Sequence, residues 1–290
     1  MLMESQTLET RLGPVAYRSS GDGPTLVFFA GALANGDLWR DVVAALEDRC
    51  RCITIDLPLG AHSHPLTAGA DRSAPSLARL LLDCLDLLDV EDATVVANDT
   101  AGGLLLLSLA SGHPALARID RLVLTNCESY DQFPPDALRR AAALCRALPR
   151  LARALVGLQA RSSAARRKVV AGAAARQLDP ERADSFFEPA RRDRRVAEDL
   201  VAAMAGFRPQ LLLDAAQVIP HYDRPVLLVW GDSCEFFPPG DAERLASDFP
   251  HATLRPVPGA KTWVPVDDPA ALTDAIAGFV PRLTPVSRRA

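Results

Sequence analysis

Short, unbroken apolar runs alternate along this chain with longer stretches of helical period, and that alternation limits the possible folds more than any other feature. The runs Thr25–Ala30 (TLVFFA), Cys50–Asp56 (CRCITID), Ala93–Ala97, Arg121–Thr125, Pro225–Trp230 (PVLLVW) and Ala252–Val257 read as strands. Gly36–Leu46, Pro75–Leu88, Ala101 to about Ser111, and Pro269–Phe279 read as helices, the second with leucines at helical spacing. Strands that lack polar alternation are buried on both faces. The expected architecture is therefore α/β: a mostly parallel, twisted sheet with helices on both faces. A chain of 290 residues, 49% hydrophobic, has enough apolar surface for one large core of this kind.

Between about Tyr130 and Tyr222 the alternation stops, and the stretch is helical in period and rich in Ala, Leu and Arg. The reading is a sheet core made of residues 1–129 and 223–290, with 130–222 inserted as a helical cap. From Arg139 to Arg195 there are 15 Lys and Arg against 5 Asp and Glu, although the whole chain carries a net charge of −4. This basic excess either steers an anionic substrate or is a solvated arginine-rich face.

Composition narrows the function. The start, MLMESQTLETRLG, lacks a basic segment followed by an apolar run, so no secretory signal is expected. The longest apolar runs, such as Gly102–Ala110, are far too short to span a bilayer, so no membrane partner is expected. The six cysteines form no CxxC and no zinc-type cluster with histidine, which fits buried, reduced thiols in a cytoplasmic protein. Neither a metal nor a cofactor is expected. The basic stretch lacks interleaved aromatics, so nucleic acid is not an expected partner. Thirty arginines against two lysines suggest a GC-rich bacterial genome. A small-molecule substrate and a monomer or homodimer complete the expectation.

The most informative segment is Val95-Val96-Ala97-Asn98-Asp99-Thr100-Ala101-Gly102-Gly103. A strand runs directly into a helix through small residues at 97, 101, 102 and 103. Such a turn is tight, and it lifts its apex side chain to the carboxyl edge of the sheet, beside a helix N-terminus that favours a carboxylate. Asp99 is that apex; the plainer alternative is that it only caps the helix. The pattern small-x-nucleophile-x-small resembles the α/β-hydrolase superfamily, and aspartate at its centre resembles the haloalkane dehalogenase and epoxide hydrolase branch. The resemblance covers nearly the whole chain. Phe29-Ala30-Gly31 falls at the family's oxyanion turn, Asp56–His62 at its loop after the next strand, Trp230–Cys234 at its acid loop and Gly259–Pro265 at its histidine loop. The chain is also similar to uncharacterised actinobacterial predicted hydrolases with an Asn-Asp-Thr elbow and no histidine in the last loop.

The resemblance implies Asp99 as nucleophile and backbone donors from Gly31, Ala32 and Thr100, with Asn98 beside them. It also exposes departures. Thr262 stands where the family carries its histidine, and no histidine occurs from Ala252 to Ala290. Cys234 stands where the triad acid is expected, and Thr100 where a dehalogenase tryptophan would donate to halide. Glu128, after the Arg121–Thr125 strand, is a candidate acid, and Trp263 flanks Thr262. His113, His221 and His251 fall at the opposite sheet edge, roughly 20 Å away for a six-residue strand at about 3.3 Å per residue. His62 or His64 could approach Asp99 from the loop after Asp56, making a His–Asp pair, or His62 could simply brace its own loop.

A carboxylate nucleophile forms an ester whose release needs a base, and losing a base typically costs about 10²–10⁴-fold. Two functions therefore stay open. One is an enzyme acting by hydrolysis, or by acid/base chemistry such as cyclisation, elimination or isomerisation, in a setting such as secondary metabolism. The other is a degenerate hydrolase homologue kept as a ligand-binding or structural protein.

Overall fold

The computed structural model describes residues 5–281. Eight strands form one sheet: β1 (Gln6–Thr10), β2 (Gly13–Ser20), β3 (Thr25–Phe29), β4 (Arg51–Ile55), β5 (Ala93–Asp99), β6 (Ile119–Cys127), β7 (Val226–Gly231) and β8 (Ala252–Val257). Their order in the sheet is β1-β2-β4-β3-β5-β6-β7-β8. From β4 through β8 every pairing is parallel, whereas β2 runs antiparallel to both β1 and β4. The hairpin β1–β2 carries no continuous apolar run, because as a sheet margin it buries little: Leu8 is the one buried residue of β1. The central strands are the reverse, with Leu26–Phe29 and Val95–Ala97 fully buried.

Helices α1 (Arg40–Leu46), α2 (Ala74–Leu87) and α3 (Thr100–Leu109) follow β3, β4 and β5. The chain places β4 on one side of β3 and β5 on the other. The crevice at the carboxyl ends of β3 and β5 is thus the switch point where sheets of this type bind ligands. Both the Gly31 turn and the Asp99 elbow open into it.

Between β6 and β7 lie α4 (Arg139–Ala147), α5 (Pro149–Arg161), α6 (Ser163–Ala173), α7 (Pro180–Arg192), α8 (Arg194–Gly206) and α9 (Pro209–Ala215). After β7 come α10 (Pro239–Asp248), α11 (Val264–Asp267) and α12 (Pro269–Phe279). Side chains of the insertion complete both faces of the core. Ala203, Phe207 and Leu212 join the cluster around α2 and α3, while Phe186 and Phe187 join the one around α1 and α12. Polar contacts fix the insertion to the loops at the carboxyl edge of the sheet. Asn35 Nδ2 donates to the Ser185 carbonyl at 3.0 Å, Arg182 Nη1 donates to Asp41 at 2.9 Å, and the Trp263 N–H donates to the Ala173 carbonyl at 2.8 Å.

Candidate functional site

Asp99 ends β5 with φ 55° and ψ −134°, a conformation that non-glycine residues rarely adopt. The turn survives because its neighbours leave no room for anything looser. A Cβ on Gly31 would lie 2.5 Å from Asp99 Cβ and 2.6 Å from its Oδ2; one on Gly102 would lie 2.3 Å from Cys127 Cβ; one on Gly103 would lie 2.8 Å from Glu128 Cβ. The glycines at 102 and 103 that marked the elbow in the sequence are therefore required by close contact with the end of β6.

The Asp99 side chain is surrounded by protein yet only partly buried, so solvent still reaches it. Burial pushes its pKa up to about 7, against the opposing pull of backbone N–H groups of Ala32 and Thr100 that hydrogen-bond the carboxylate. The expected donors Ala32 and Thr100 are thus at the site, and they act on Asp99 itself. Gly31 serves by its lack of a side chain.

Glu128, one residue past β6, is the second carboxyl of the site and is buried. Its Oε1 accepts from Thr100 Oγ1 at 2.9 Å, and its Oε2 has no partner among the described residues. Burial first, and the Asp99 charge second, push its pKa well above the usual carboxylate range. The Asp99 charge thus opposes ionisation of Glu128, so the two carboxyls do not ionise independently. Thr100 links Glu128 to the elbow.

Cys234 and Thr262, the residues at the positions where the resemblance leads us to expect acid and base, touch each other. Cys234 Sγ lies 3.1 Å from Thr262 Oγ1 and accepts from the Phe237 N–H, and both side chains are buried. Burial raises the Cys234 thiol above its ordinary range, with the Asp99 charge adding to the rise. Neither a threonine hydroxyl nor a thiol so shifted takes a proton at neutral pH. Cys234 and Thr262 thus form a neutral, bonded pair.

Three expected roles need correction. Asn98 does not face the site: its Nδ2 donates to Thr262 O at 2.7 Å and Thr125 Oγ1 at 2.9 Å, tying the elbow to the Thr262 loop from below. Trp263 packs edge-on against Phe186 at 5.3 Å, inside the core beneath α6 and α7. His62 does not meet Asp99. Its Nδ1 accepts from the Gly60 N–H at 3.3 Å, which leaves Nε2 as donor to Asp199 Oδ2, 3.0 Å away. Asp199, on α8, also accepts from Arg72 Nε at 2.5 Å and the Leu66 N–H at 2.9 Å. Burial raises the Asp199 pKa, but these hydrogen bonds outweigh it and hold the group below its ordinary value. His62 therefore braces its own loop, the alternative the sequence offered, and joins it to the insertion, a link that 137 residues of separation from Asp199 hid from sequence reading. His113 lies at the opposite edge, its Nε2 3.2 Å from Asp83. Asp99 takes its hydrogen bonds from backbone, and none from the five histidines, all within the described residues.

The α/β-hydrolase fold family model matches residues 24–269, and the chain belongs to that family. Its relatives are enzymes. Haloalkane dehalogenase 2 of Mycobacterium tuberculosis (strain ATCC 25618 / H37Rv) is 26% identical over 279 residues, covering 94% of this chain and 93% of that protein. A cis-3-alkyl-4-alkyloxetan-2-one decarboxylase of Shewanella oneidensis is 30% identical over 132 residues, 45% of this chain and 41% of its own length. Among solved structures, a haloalkane dehalogenase from Bradyrhizobium elkani USDA94 superposes with a TM-score of 0.76 at 20% identity, covering 97% of this chain and 99% of that one, a likeness of fold.

Proposed function

We propose that this protein is an enzyme in which Asp99 moves a proton on a small or medium-sized organic molecule, in a cyclisation, elimination or isomerisation. The observation that carries this reading is a partly accessible carboxyl, its pKa pushed up to about 7 by burial, that takes its hydrogen bonds from backbone and lies near a bonded Cys234–Thr262 pair where the family resemblance expects an acid and a base. A group that titrates near the working pH is suited to both taking and giving a proton. Burial sets the Asp99 carboxyl in that range, and Glu128, whose own ionisation the Asp99 charge opposes, is tied to the elbow by the Thr100 hydroxyl. The helical insertion acts as the cap that encloses the substrate.

Turnover through an ester on Asp99 is the poorer fit. The ester would need an activated water, and the absence of a positioned base costs about 10²–10⁴-fold. The kinship with a dehalogenase argues for an organic substrate of modest size, and kinship with a protein named as a decarboxylase supports chemistry other than hydrolysis.

The test is a panel containing an activated ester, an epoxide and a primary haloalkane, followed by intact mass. The reading expects no multiple turnover, and any electrophile that reaches Asp99 leaves a persistent adduct that Asp99→Asn does not form. Sustained turnover of the ester or haloalkane, abolished in Asp99→Asn, would refute it in favour of hydrolysis. A substrate found by wider screening should turn over with a rate that inflects near pH 7 and is lost in Asp99→Asn; unchanged turnover in that variant would remove Asp99 from the chemistry.

A further inference from the structure

The outer helix α5 turns the usual pattern of a surface helix inside out. Leu148, just before it, and Leu151, Leu155 and Leu158 within it are 54%, 47%, 46% and 63% exposed. Their spacing of three, four and three places them on one face. Small residues, Ala152 and Ala160, face inward, and the helix packs chiefly against the other insertion helices α4, α6, α7 and α8. Leu87 is the one other large apolar side chain exposed among the described residues, so four of five lie here. Burying a leucine is worth enough that leaving four in water on one stripe marks an interaction surface.

The charge around this stripe is equally one-sided. Residues 139–178, spanning α4 to α6, contain ten Arg and Lys and no Asp or Glu, while the rest of the chain carries −14. Arg150 and Arg161 flank the leucines and are exposed, as are Arg140, Arg146, Arg167 and Lys168. Arg153 is neutralised by Glu198 and Arg166 by Asp184, but Arg140, Arg150, Arg167 and Lys168 form no ion pair among the described residues.

We infer that α5 lies flat on a bilayer surface rich in anionic phospholipid, with its leucines in the outer acyl region and the surrounding arginines on the phosphates. A short helix with an apolar stripe and a cationic surround has the form of an interfacial helix. Charge decides against the rival occupant, a second copy of this chain. Pairing the same face would bring two segments of +10 together, each already holding the nearby acids Glu198 and Asp184 in its own ion pairs and leaving Arg140, Arg150, Arg167 and Lys168 unpaired among the described residues, whereas an anionic bilayer is complementary. No described helix is long and apolar enough to cross a membrane, and that absence of a spanning run was the ground for expecting no membrane partner. Lying on a surface needs no such run. The inference is independent of the chemistry at Asp99.

Flotation with extruded vesicles tests it, using phosphatidylcholine with about one-third phosphatidylglycerol against phosphatidylcholine alone. The full chain should float with the anionic vesicles and not with the neutral ones, and high salt should release it. The triple variant Leu151→Gln, Leu155→Gln, Leu158→Gln changes only exposed side chains and should keep the wild-type melt; its binding should fall at least about tenfold. Arg150→Gln should weaken binding roughly fivefold. Three results would overturn the inference: no flotation with anionic vesicles at low salt, undiminished flotation of a folded triple variant, or a concentration-dependent dimer that the triple variant abolishes while vesicles bind neither protein.

Discussion

Asp99 is held between donors that favour its charge and a surrounding that opposes it, and the second wins. The sign of the consequence follows from the pKa rising to about 7 in the folded chain. Below the ordinary aspartate range both folded and unfolded chains carry the proton, and nothing changes. Between about pH 4 and 7 the unfolded chain ionises first, so the folded state loses stability as pH rises. Asp99→Asn should therefore be more stable than wild type at pH 8, by about 3 kcal/mol given that solvent still reaches the side chain, and indistinguishable from it at pH 3.5, about the lower limit of that window. Thermal melts at the two pH values check this, and an equal difference at both would remove the buried carboxyl as its cause. Gly31→Ala tests the close approach. A methyl 2.5 Å from Asp99 Cβ must displace the elbow, so the expected outcome is a folded but weakened protein, down about 1–3 kcal/mol, with activity reduced at least about a hundredfold. Thr262→His combined with Cys234→Asp tests the vacated base position: if the account is right, an adduct on Asp99 that persists in wild type should clear in the double variant, as read by intact mass over time.

At the scale of elements, the insertion is joined to the sheet by buried His62 and Asp199 with the half-buried Arg72, and α8 carries the shared carboxylate. Asp199→Ala leaves His62 and the Leu66 N–H without a partner in the interior, which costs about 3–5 kcal/mol. Hydrogen exchange should show the loss concentrated in α8 and the loop 57–66, and uniform loss across the sheet would contradict a local clamp. Because the Asp199 pKa is depressed, its contribution is present above the ordinary aspartate pKa and disappears as pH falls through the folded value, opposite to Asp99. These elements also mark the limit of sequence reading. The central strands were legible because both faces are buried and the runs are unbroken; β8 and α12 have the very bounds expected. The β1–β2 hairpin was not, because margin strands need no apolar run. The elbow was legible because packing demands small residues around one apex. The fate of His62 was not, since its partner comes from another element with no local signal.

As a whole molecule, the chain places its one-sided basic, leucine-bearing helices on the outside of the insertion and its two-carboxyl site at the switch point of the sheet. The fold is that of the α/β-hydrolase family, and at its switch point Asp99 takes hydrogen bonds from backbone while Cys234 and Thr262 bond to each other. The central claim is that Asp99 trades protons and does not turn over an ester. The most direct test is to incubate the protein in heavy-oxygen water with the ester, epoxide and haloalkane panel, digest it, and weigh the peptide containing Asp99. Release of an ester by water leaves a heavy oxygen in that carboxyl, whereas proton transfer leaves it unlabelled. The account predicts no label after prolonged incubation; label that accumulates with product and is absent without substrate would contradict it.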